Sequence, residues 1–125
     1  MAEVFGERSV SVSDYYLNDL LDSDTFWAIA AFKGNDIVGG LTAHTLPMIQ
    51  AQASEIFIYD IAVVEEYQRK GIGRQLLTTL FDGAAKEHVR VAFVLADNID
   101  THALDFYRAM GASPSPTTAF TFSIE

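Results

Sequence analysis

Apolar residues recur at two different spacings along the chain, and the spacing predicts which segments are helices and which are strands. Helical spacing is clearest after Ile72, where two adjacent apolar rows face one side and polar residues face the other. The rows are Ile72, Leu76, Leu80 and Ala84 and, beside them, Leu77, Phe81 and Ala85. A shorter helix is predicted after Ser13, a favourable N-cap residue, and runs to about Asp22.

Strands are predicted where aromatic and branched aliphatic residues form runs between turn residues. Gly34-Asn35-Asp36 predicts a hairpin turn, and Gly39-Gly40 inside a run predicts a bulge or a close backbone approach. Two runs, Glu55–Val64 and Val89–Ala96, are apolar enough for buried strands, and the helix between them implies a parallel, right-handed crossover. The five runs are Thr25–Phe32, Ile37–Leu46, Glu55–Val64, Val89–Ala96 and Thr117–Ile124.

The last helix is predicted to begin at a cap on Asp100 or Thr101 and to end at Gly111, which suits the C′ position. Residues 1–12 have no clear period, and Pro47–Ala53 is predicted to be a loop. The order of helix, hairpin, strand, helix, strand, helix and strand predicts an α/β (α+β) fold. We expect one domain over residues 1–125, with a mixed β-sheet flanked by helices.

Composition narrows the class of protein. The 125 residues are 50% apolar and 20% charged, which is ordinary for one globular domain. With no cysteine, no apolar run long enough to span a membrane and no secretory signal pattern, we expect a cytoplasmic protein. The net charge of −9 disfavours nucleic acid and anionic membranes as partners. It fits a cationic substrate, although acidity serves solubility equally well.

The loop Gln68–Arg74 carries the clearest chemical signal. Gly71 and Gly73 have no Cβ, so the backbone can approach a ligand closely, and the N–H groups at the start of the next helix attract an anion. A triphosphate loop needs Gly-Lys-Ser/Thr, and a dinucleotide loop needs a third glycine where Leu76 stands. Neither pattern is present, and the remaining pattern is Gln/Arg-x-x-Gly-x-Gly/Ala. Three of the eight basic residues lie in this loop: Arg69, Lys70 and Arg74.

Two segments resemble the GCN5-related N-acetyltransferase (GNAT) superfamily. Ile61–Arg74 resembles its acetyl-CoA loop, and Ala103–Gly111 resembles its later helix, with Tyr107 four residues before the glycine. From about residue 5 onward the chain is also similar to the aminoglycoside (gentamicin) 3-N-acetyltransferase family. The runs that carry this second similarity are Thr25–Phe32, Ile56–Val63 and Ala96-Asp97.

The resemblance implies a GNAT-like fold with a shortened N-terminus, because the superfamily's first strand and helix have room here only for a remnant. Either the chain lacks those elements or a partner chain completes the sheet edge, so we expect a homodimer. The implied activity is acetyl-CoA-dependent acetylation of a small cationic amine, specifically the 3-amino group of an aminoglycoside, which confers antibiotic resistance. The alternatives are a polyamine, another small amine or a protein amine as acceptor, and a non-enzymatic acyl-CoA-binding domain.

Acetyl transfer to an amine needs a positioned thioester, a neutral amine, a stabilised oxyanion and a proton for the thiolate. The resemblance implies Tyr107 as the general acid for the thiolate, although its apolar helical row also fits a core tyrosine. It implies that backbone N–H groups near Ile61 and Val63 meet the pantetheine and the thioester carbonyl. The implied coenzyme-binding residues are Ile61, Ala62, Val63, Gln68, Arg69, Lys70, Gly71, Ile72, Gly73 and Arg74.

Asp60 interrupts an otherwise apolar strand, where a carboxylate needs either a partner or a function. It is a candidate general base for the attacking ammonium, or else a salt-bridge or cap acceptor. Acidic and amide groups near predicted strand ends are expected to bind the cationic substrate, although Asp100 serves equally as a helix cap. These residues are Glu55, Asp97, Asn98 and Asp100. The three histidines, His44, His88 and His102, show no ligand spacing and are expected to be surface or packing residues, so no metal is predicted.

Overall fold

The computed structural model describes residues 13–49 and 53–124 of the chain. The chain divides into two compact units, residues up to Leu95 and residues from Ala96 onward, and each is described by itself. The predictions about residues 1–12 and about the middle of the loop Pro47–Ala53 lie outside the described residues. The expectation of one domain over residues 1–125 stays a prediction.

The first unit is a mixed four-stranded sheet with two helices. The strand order is β1-β2-β3-β4, with antiparallel pairing among the first three strands and parallel pairing between β3 and β4. The predicted mixed sheet with helices and the predicted parallel crossover are therefore confirmed. The elements are α1 Asp14–Asp22, β1 Phe26–Lys33, β2 Asp36–Pro47, β3 Ser54–Val63, α2 Ile72–Ala85 and β4 Val89–Val94.

Local sequence signals explain where the first elements begin and turn. The Ser13 hydroxyl oxygen accepts a hydrogen bond from the N–H of Tyr16 at 3.2 Å, which caps α1 as predicted. Between β1 and β2, Lys33 pairs with Asp36, and Gly34 has φ of +61°. A two-residue turn with a left-handed glycine matches the twist of the strands it joins, so the predicted hairpin is confirmed.

The core of this unit lies between the sheet and α2. Gly39 lets the helix approach, because a Cβ on Gly39 would lie 3.2 Å from Ile72 Cγ2 and 3.3 Å from the carbonyl oxygen of Ala62. The close backbone approach predicted at this glycine is confirmed. The buried core side chains are Val38, Leu41, Ala43, Ile56, Ile58, Leu76, Leu77, Leu80 and Ala84.

Two predictions of burial are wrong. β4 is not a buried strand, since Arg90, Val91 and Ala92 are exposed. The reason is that β4 is the edge of the described sheet and has only β3 beside it. On α2, Phe81 and Ala85 of the second predicted apolar row are also exposed, because the apolar sector is wider than the helix face that meets the sheet.

The second unit contains helix α3, Thr101–Ala109. A carboxylate oxygen of Asp100 accepts a hydrogen bond from the N–H of Ala103 at 3.1 Å, so Asp100 rather than Thr101 is the N-cap. At the other end Gly111 has φ of +96°, and the N–H of Ala112 donates to the carbonyl oxygen of Tyr107 at 3.0 Å. The N–H of Gly111 also donates to the carbonyl oxygen of Arg108 at 3.0 Å. These two bonds form a Schellman cap, so the predicted C′ role of Gly111 is confirmed.

The predicted last strand, Thr117–Ile124, is wrong. Residues 112–124 form neither helix nor strand, and the large apolar side chains of Phe120, Phe122 and Ile124 are exposed. Their alternation gives strand propensity, but a strand also needs ladder hydrogen bonds to a neighbour, which these residues do not form in the part of the chain described. Among residues 13–49 and 53–124, no helix is long and apolar enough to span a membrane.

Candidate functional site

Strand β3 contains an extra residue opposite the middle of β2. Thr42 of β2 pairs with Asp60, whereas the next residue, Ala43, pairs with Ile58. Tyr59 therefore has no residue opposite it and forms a β-bulge. Bulges bend a strand and re-aim its side chains, and they are frequent beside active sites. This bulge comes directly before Asp60, so the stretch of β3 that follows is a candidate part of an active site.

The pairing of β3 with β4 ends just before the bulge. The β3–β4 ladder ends at Ile58, while β3 continues beside β2 to Val63. The N–H of Val64 donates to the carbonyl oxygen of Val38 on β2 at 2.8 Å. Because backbone groups alternate in an antiparallel ladder, the N–H groups of Val63 and Ile61 point away from β2, toward the side on which β3 no longer pairs with β4. Both groups are therefore oriented to donate to a ligand lying along that side of β3.

The loop after β3 is held in place by its own hydrogen bonds. The backbone N–H groups of Tyr67 and Gln68 donate to the carbonyl oxygens of Val64 at 2.8 Å and Glu65 at 3.2 Å. These bonds close a 3₁₀ turn over Glu65–Tyr67. The Gln68 side chain donates from Nε2 to the carbonyl oxygen of Val63 at 2.9 Å. Gln68 therefore ties the loop to the end of β3, which is a structural reason for a glutamine at this position.

The backbone of the loop turns left-handed twice, at Arg69 with φ of +63° and at Gly71 with φ of +84°. Glycine adopts this conformation freely, whereas arginine does so rarely. Left-handed residues within a turn can direct successive N–H groups toward one side, as in the backbone nests that bind anions. The geometry of the loop therefore suits a phosphate group.

Helix α2 begins with backbone donors that no helical carbonyl accepts. Its N-cap is Gly71, which has no side chain to cap the helix, and the first helical bond is from the N–H of Gln75 to the carbonyl oxygen of Gly71 at 3.0 Å. The N–H groups of Ile72, Gly73 and Arg74 precede that bond. A bound anion can satisfy such groups and is also attracted by the positive end of the helix dipole.

Basic side chains add positive charge to the same loop. Arg69, Lys70 and Arg74 are exposed, and the Lys70 ammonium lies 5.4 Å from the centre of the Tyr67 ring, within cation–π range. Screening by water and salt limits what exposed charges contribute. In a chain of net charge −9, this local positive patch together with the backbone donors matches a pyrophosphate better than a cation.

We expect Gly71→Ala to weaken binding of acetyl-CoA about tenfold, because a side chain in the left-handed region costs about 1–2 kcal/mol. A Cβ on Gly71 would meet no atom within 4 Å, so the effect would come from the backbone conformation rather than from packing. Calorimetric titration of acetyl-CoA measures it. The matched control is Gly34→Ala, at φ of +61° in the hairpin turn and equally without near neighbours. A loss of affinity equal in both variants would place the coenzyme elsewhere.

Two predicted site carboxylates lie on the face of the sheet that points away from α2. Gly39 faces α2, so Thr42, an odd number of positions further along β2, faces the other way, as does its partner Asp60. Glu55 pairs with Leu46, which shares this face with Thr42. Both carboxylates are half-buried. They stand roughly 13–17 Å apart along β3, because each residue of a strand adds about 3.3 Å.

A row of rings that was not predicted lies on this same face and is here called the aromatic row. Centroids of successive rings are 5.1, 6.0, 5.5 and 4.9 Å apart, so each ring contacts the next. The spacing of Phe57 and Tyr59 was an available signal, since residues two apart share a strand face. The row runs through Phe26 of β1, His44 of β2, Tyr59 and Phe57 of β3, and Phe93 of β4.

The remaining predicted residues lie in the second unit. A carboxylate oxygen of Asp97 accepts from the N–H of Ile99 at 3.2 Å, so both Asp97 and the helix cap Asp100 have local structural roles. Asn98 is exposed in the same turn. Tyr107 is half-buried on α3, with its ring 5.4 Å from that of Phe106. Among the described residues, no group of histidine and carboxylate side chains is arranged to hold a metal ion.

Comparison with known proteins identifies relatives over nearly the whole chain. The model of the acetyltransferase (GNAT) family matches residues 2–112. Aminoglycoside acetyltransferase meta-AAC0020, from an uncultured soil metagenomic sample, is 32% identical with a TM-score of 0.90, over 99% of this chain and 83% of that chain. It was solved in complex with trehalose and with sisomicin. Aminoglycoside acetyltransferase HMB0005, from a similar sample, is 31% identical with a TM-score of 0.90, over 99% and 85%.

A more distant structure shares the fold alone. AAC(6')-Iy, in complex with the bisubstrate analog CoA-S-monomethyl-acetylneamine, has a TM-score of 0.79 at 16% identity, over 92% of this chain and 82% of that chain. No curated protein sequence matches the chain.

The family match spans the bulged strand, the glycine loop and helix α3. The family uses acetyl-CoA, and within the first unit the candidate groups to bind it are the N–H groups of β3 that point away from β2 and the donors of the loop. The predicted superfamily and coenzyme are confirmed. The chain belongs to the acetyltransferase (GNAT) family and is an N-acetyltransferase.

Proposed function

We propose that the chain transfers the acetyl group of acetyl-CoA to the 3-amino group of an aminoglycoside, and that this acetylation confers antibiotic resistance. The observation that carries the proposal is the bulge at Tyr59, after which Asp60 lies on the sheet face away from α2, next to the outward N–H of Ile61. Two aminoglycoside acetyltransferases at 32% and 31% identity support the acceptor class. The 3-amino position rests on the resemblance of the run Tyr59–Val63 to that family.

We assign coenzyme A to the end of β3 and the loop that follows. Ile61, Ala62 and Val63 would line the pantetheine, and an N–H directed at the developing oxyanion contributes about 3 kcal/mol to catalysis. The backbone and basic side chains of the loop would hold the pyrophosphate. The loop residues in this role are Gln68, Arg69, Lys70, Gly71, Ile72, Gly73 and Arg74.

Asp60 and Tyr107 are assigned the two proton transfers. Acetyl-CoA supplies the acetyl group as a thioester. The Asp60 carboxylate would accept a proton from the attacking ammonium, directly or through one water molecule. The Tyr107 hydroxyl would donate a proton to the leaving thiolate. Neither role requires a covalent bond to the protein, which agrees with a chain that contains no cysteine.

Acidic groups are assigned to the cationic acceptor. An aminoglycoside carries several ammonium groups, and carboxylates attract and orient them. Glu55 shares the sheet face of Asp60, and the chain as a whole has net charge −9. In the second unit, Asp97, Asn98 and Asp100 form one exposed turn beside the start of α3. Because Asp97 and Asp100 already accept local hydrogen bonds, only their remaining lone pairs would serve a ligand.

We further propose a homodimer located in the cytoplasm. Within the described sheet, β1 has only β2 beside it, and the backbone groups on its other side can pair with a second copy. The acidic charge supports neither a nucleic acid nor an anionic membrane as a partner. Sedimentation of the purified chain at several concentrations tests the dimer.

Thiol release from acetyl-CoA tests the activity with a panel of acceptors: gentamicin, sisomicin, spermidine, a small primary amine and a lysine peptide. We expect release with the two aminoglycosides. Release only with one of the other amines would select the alternative acceptor class. Binding of acetyl-CoA without release by any amine would support the non-enzymatic alternative.

A further inference from the structure

The aromatic row (Phe26, His44, Tyr59, Phe57 and Phe93) crosses all four strands on the face opposite the core. The fully buried side chains lie in the layer between the sheet and α2. The largest of them are Leu41, Ile56, Leu77 and Leu80. The rings of the row are instead half-buried or exposed. The row is therefore not part of the main core of the first unit.

Tyr59 is the most exposed ring of the row, with 63% of its surface accessible. It is the bulge residue, so its side chain is directed by the irregular backbone rather than by regular pairing with β2. Its ring contacts His44 at 6.0 Å in an edge orientation and Phe57 at 5.5 Å. Neighbouring rings on two sides restrict the movement of the Tyr59 side chain, so this side chain loses little conformational entropy when a ligand covers it.

Carboxylates lie at both ends of the Tyr59–Phe57 ring pair along β3. Asp60 follows Tyr59 directly, and Glu55 precedes Phe57 on the same face. An aromatic face is electron-rich and attracts C–H groups and ammonium groups, while the carboxylates attract ammonium groups alone. The matching ligand has a rigid ring with one C–H face and ammonium substituents on its rim. Amino sugars and aminocyclitols have this structure, whereas linear polyamines have the charge without the ring.

We propose that Tyr59, supported by the aromatic row, is the platform on which one amino-substituted ring of the acceptor stacks, and that it selects cyclic polyamines over linear ones. This inference rests on the proposed aminoglycoside acetylation and specifies its acceptor subsite. Tyr59 acts as a positioning and specificity residue; the proton transfers belong to other groups.

The test compares Tyr59→Leu and Tyr59→Phe with the unmodified protein. Leucine keeps apolar volume but removes the ring face, so the KM for sisomicin rises about tenfold, the size of one good aromatic contact. The KM for acetyl-CoA and the KM for spermidine, if it is acetylated, change less than about twofold. Tyr59→Phe keeps the face and retains the original KM for sisomicin. The matched control is Phe32→Leu, since Phe32 is 62% exposed but lies outside the row.

An unchanged KM for sisomicin in Tyr59→Leu, with turnover retained, overturns the platform while leaving the proposed activity intact. An equal rise for spermidine overturns the selectivity. If the unmodified protein acetylates no aminoglycoside, the proposed activity itself fails. The affinities of the unmodified protein and of Tyr59→Leu for sisomicin and for spermidine, measured by calorimetry, then test whether Tyr59 is the platform.

A second measurement needs no substitution and covers the case in which Tyr59→Leu does not fold. In a saturation-transfer NMR experiment, the aromatic protons of the unmodified protein are saturated selectively in the presence of sisomicin. We expect the saturation to reach the C–H protons of one sisomicin ring more strongly than those of its other rings. Uniform or absent transfer contradicts stacking.

Discussion

Asp60→Asn is expected to lower kcat for an aminoglycoside by about 10²–10⁴-fold, the range that a positioned general base contributes. Asparagine has nearly the same size but cannot accept the ammonium proton. Because Asp60 faces away from α2 while the loop begins after Val64, the affinity for acetyl-CoA should change less than about twofold. Steady-state kinetics and calorimetric titration of acetyl-CoA, made on the same preparation, separate the two effects.

The control for this substitution is Asp82→Asn, an equal loss of charge at an exposed position of α2. It should leave kcat unchanged. Asp60 has a structural role instead if Asp60→Asn lowers the unfolding temperature by several degrees and kcat falls only in proportion to the folded fraction. Activity at the original level would remove Asp60 from the mechanism.

Tyr107→Phe is the substitution with the second-largest expected effect. Removing the hydroxyl leaves the ring and its contact with Phe106, so α3 should keep its packing. The thiolate then has no positioned acid, and kcat should fall about 10²-fold or more while acetyl-CoA affinity is retained. Single-turnover thiol release measures the chemical step directly.

Tyr15→Phe is the control, because Tyr15 lies on α1 with 84% of its surface exposed. A strong fall in thermal stability of Tyr107→Phe with normal single-turnover release would mean that Tyr107 is a packing residue of α3. Normal stability together with normal release would show that the acid is another group or water.

Elements with local causes could be predicted from the sequence. The helix after Gly71 shows its periodicity over many residues, the Ser13 cap depends on contacts three residues away, and Gly111 ends α3 through a local hydrogen-bond pattern. The glycine loop belongs to this group, because the left-handed conformation at Gly71 is one that glycine adopts freely without help from distant residues. These signals need no knowledge of distant parts of the chain.

Features that depend on distant pairing could not be predicted. The bulge at Tyr59 exists only relative to the register of β2, and the same bulge determines where Tyr59 and Asp60 lie on the sheet. The exposure of Val91 follows from the edge position of β4, which its apolar composition does not reveal. The alternating run Thr117–Ile124 has strand propensity, but propensity alone supplies no neighbouring strand.

The aromatic row combines a feature that is visible in the local sequence with features that depend on distant strand pairing. The alternation of Phe57 and Tyr59 is visible in the sequence, but the alignment of their rings with Phe26, His44 and Phe93 requires three strand registers at once. A histidine without ligand spacing therefore looked unremarkable until its neighbours across the sheet were known. The candidate coenzyme loop was predictable from one segment, whereas the candidate acceptor surface was not.

The structure of the reaction product tests most directly whether this chain acetylates an aminoglycoside. The purified protein is incubated with acetyl-CoA and sisomicin, and the product is analysed by mass spectrometry and two-dimensional NMR. We predict a product that carries a single acetyl group, attached to the 3-amino nitrogen. Recovery of unmodified sisomicin, under conditions in which the same protein acetylates spermidine or a lysine peptide, would contradict the claim.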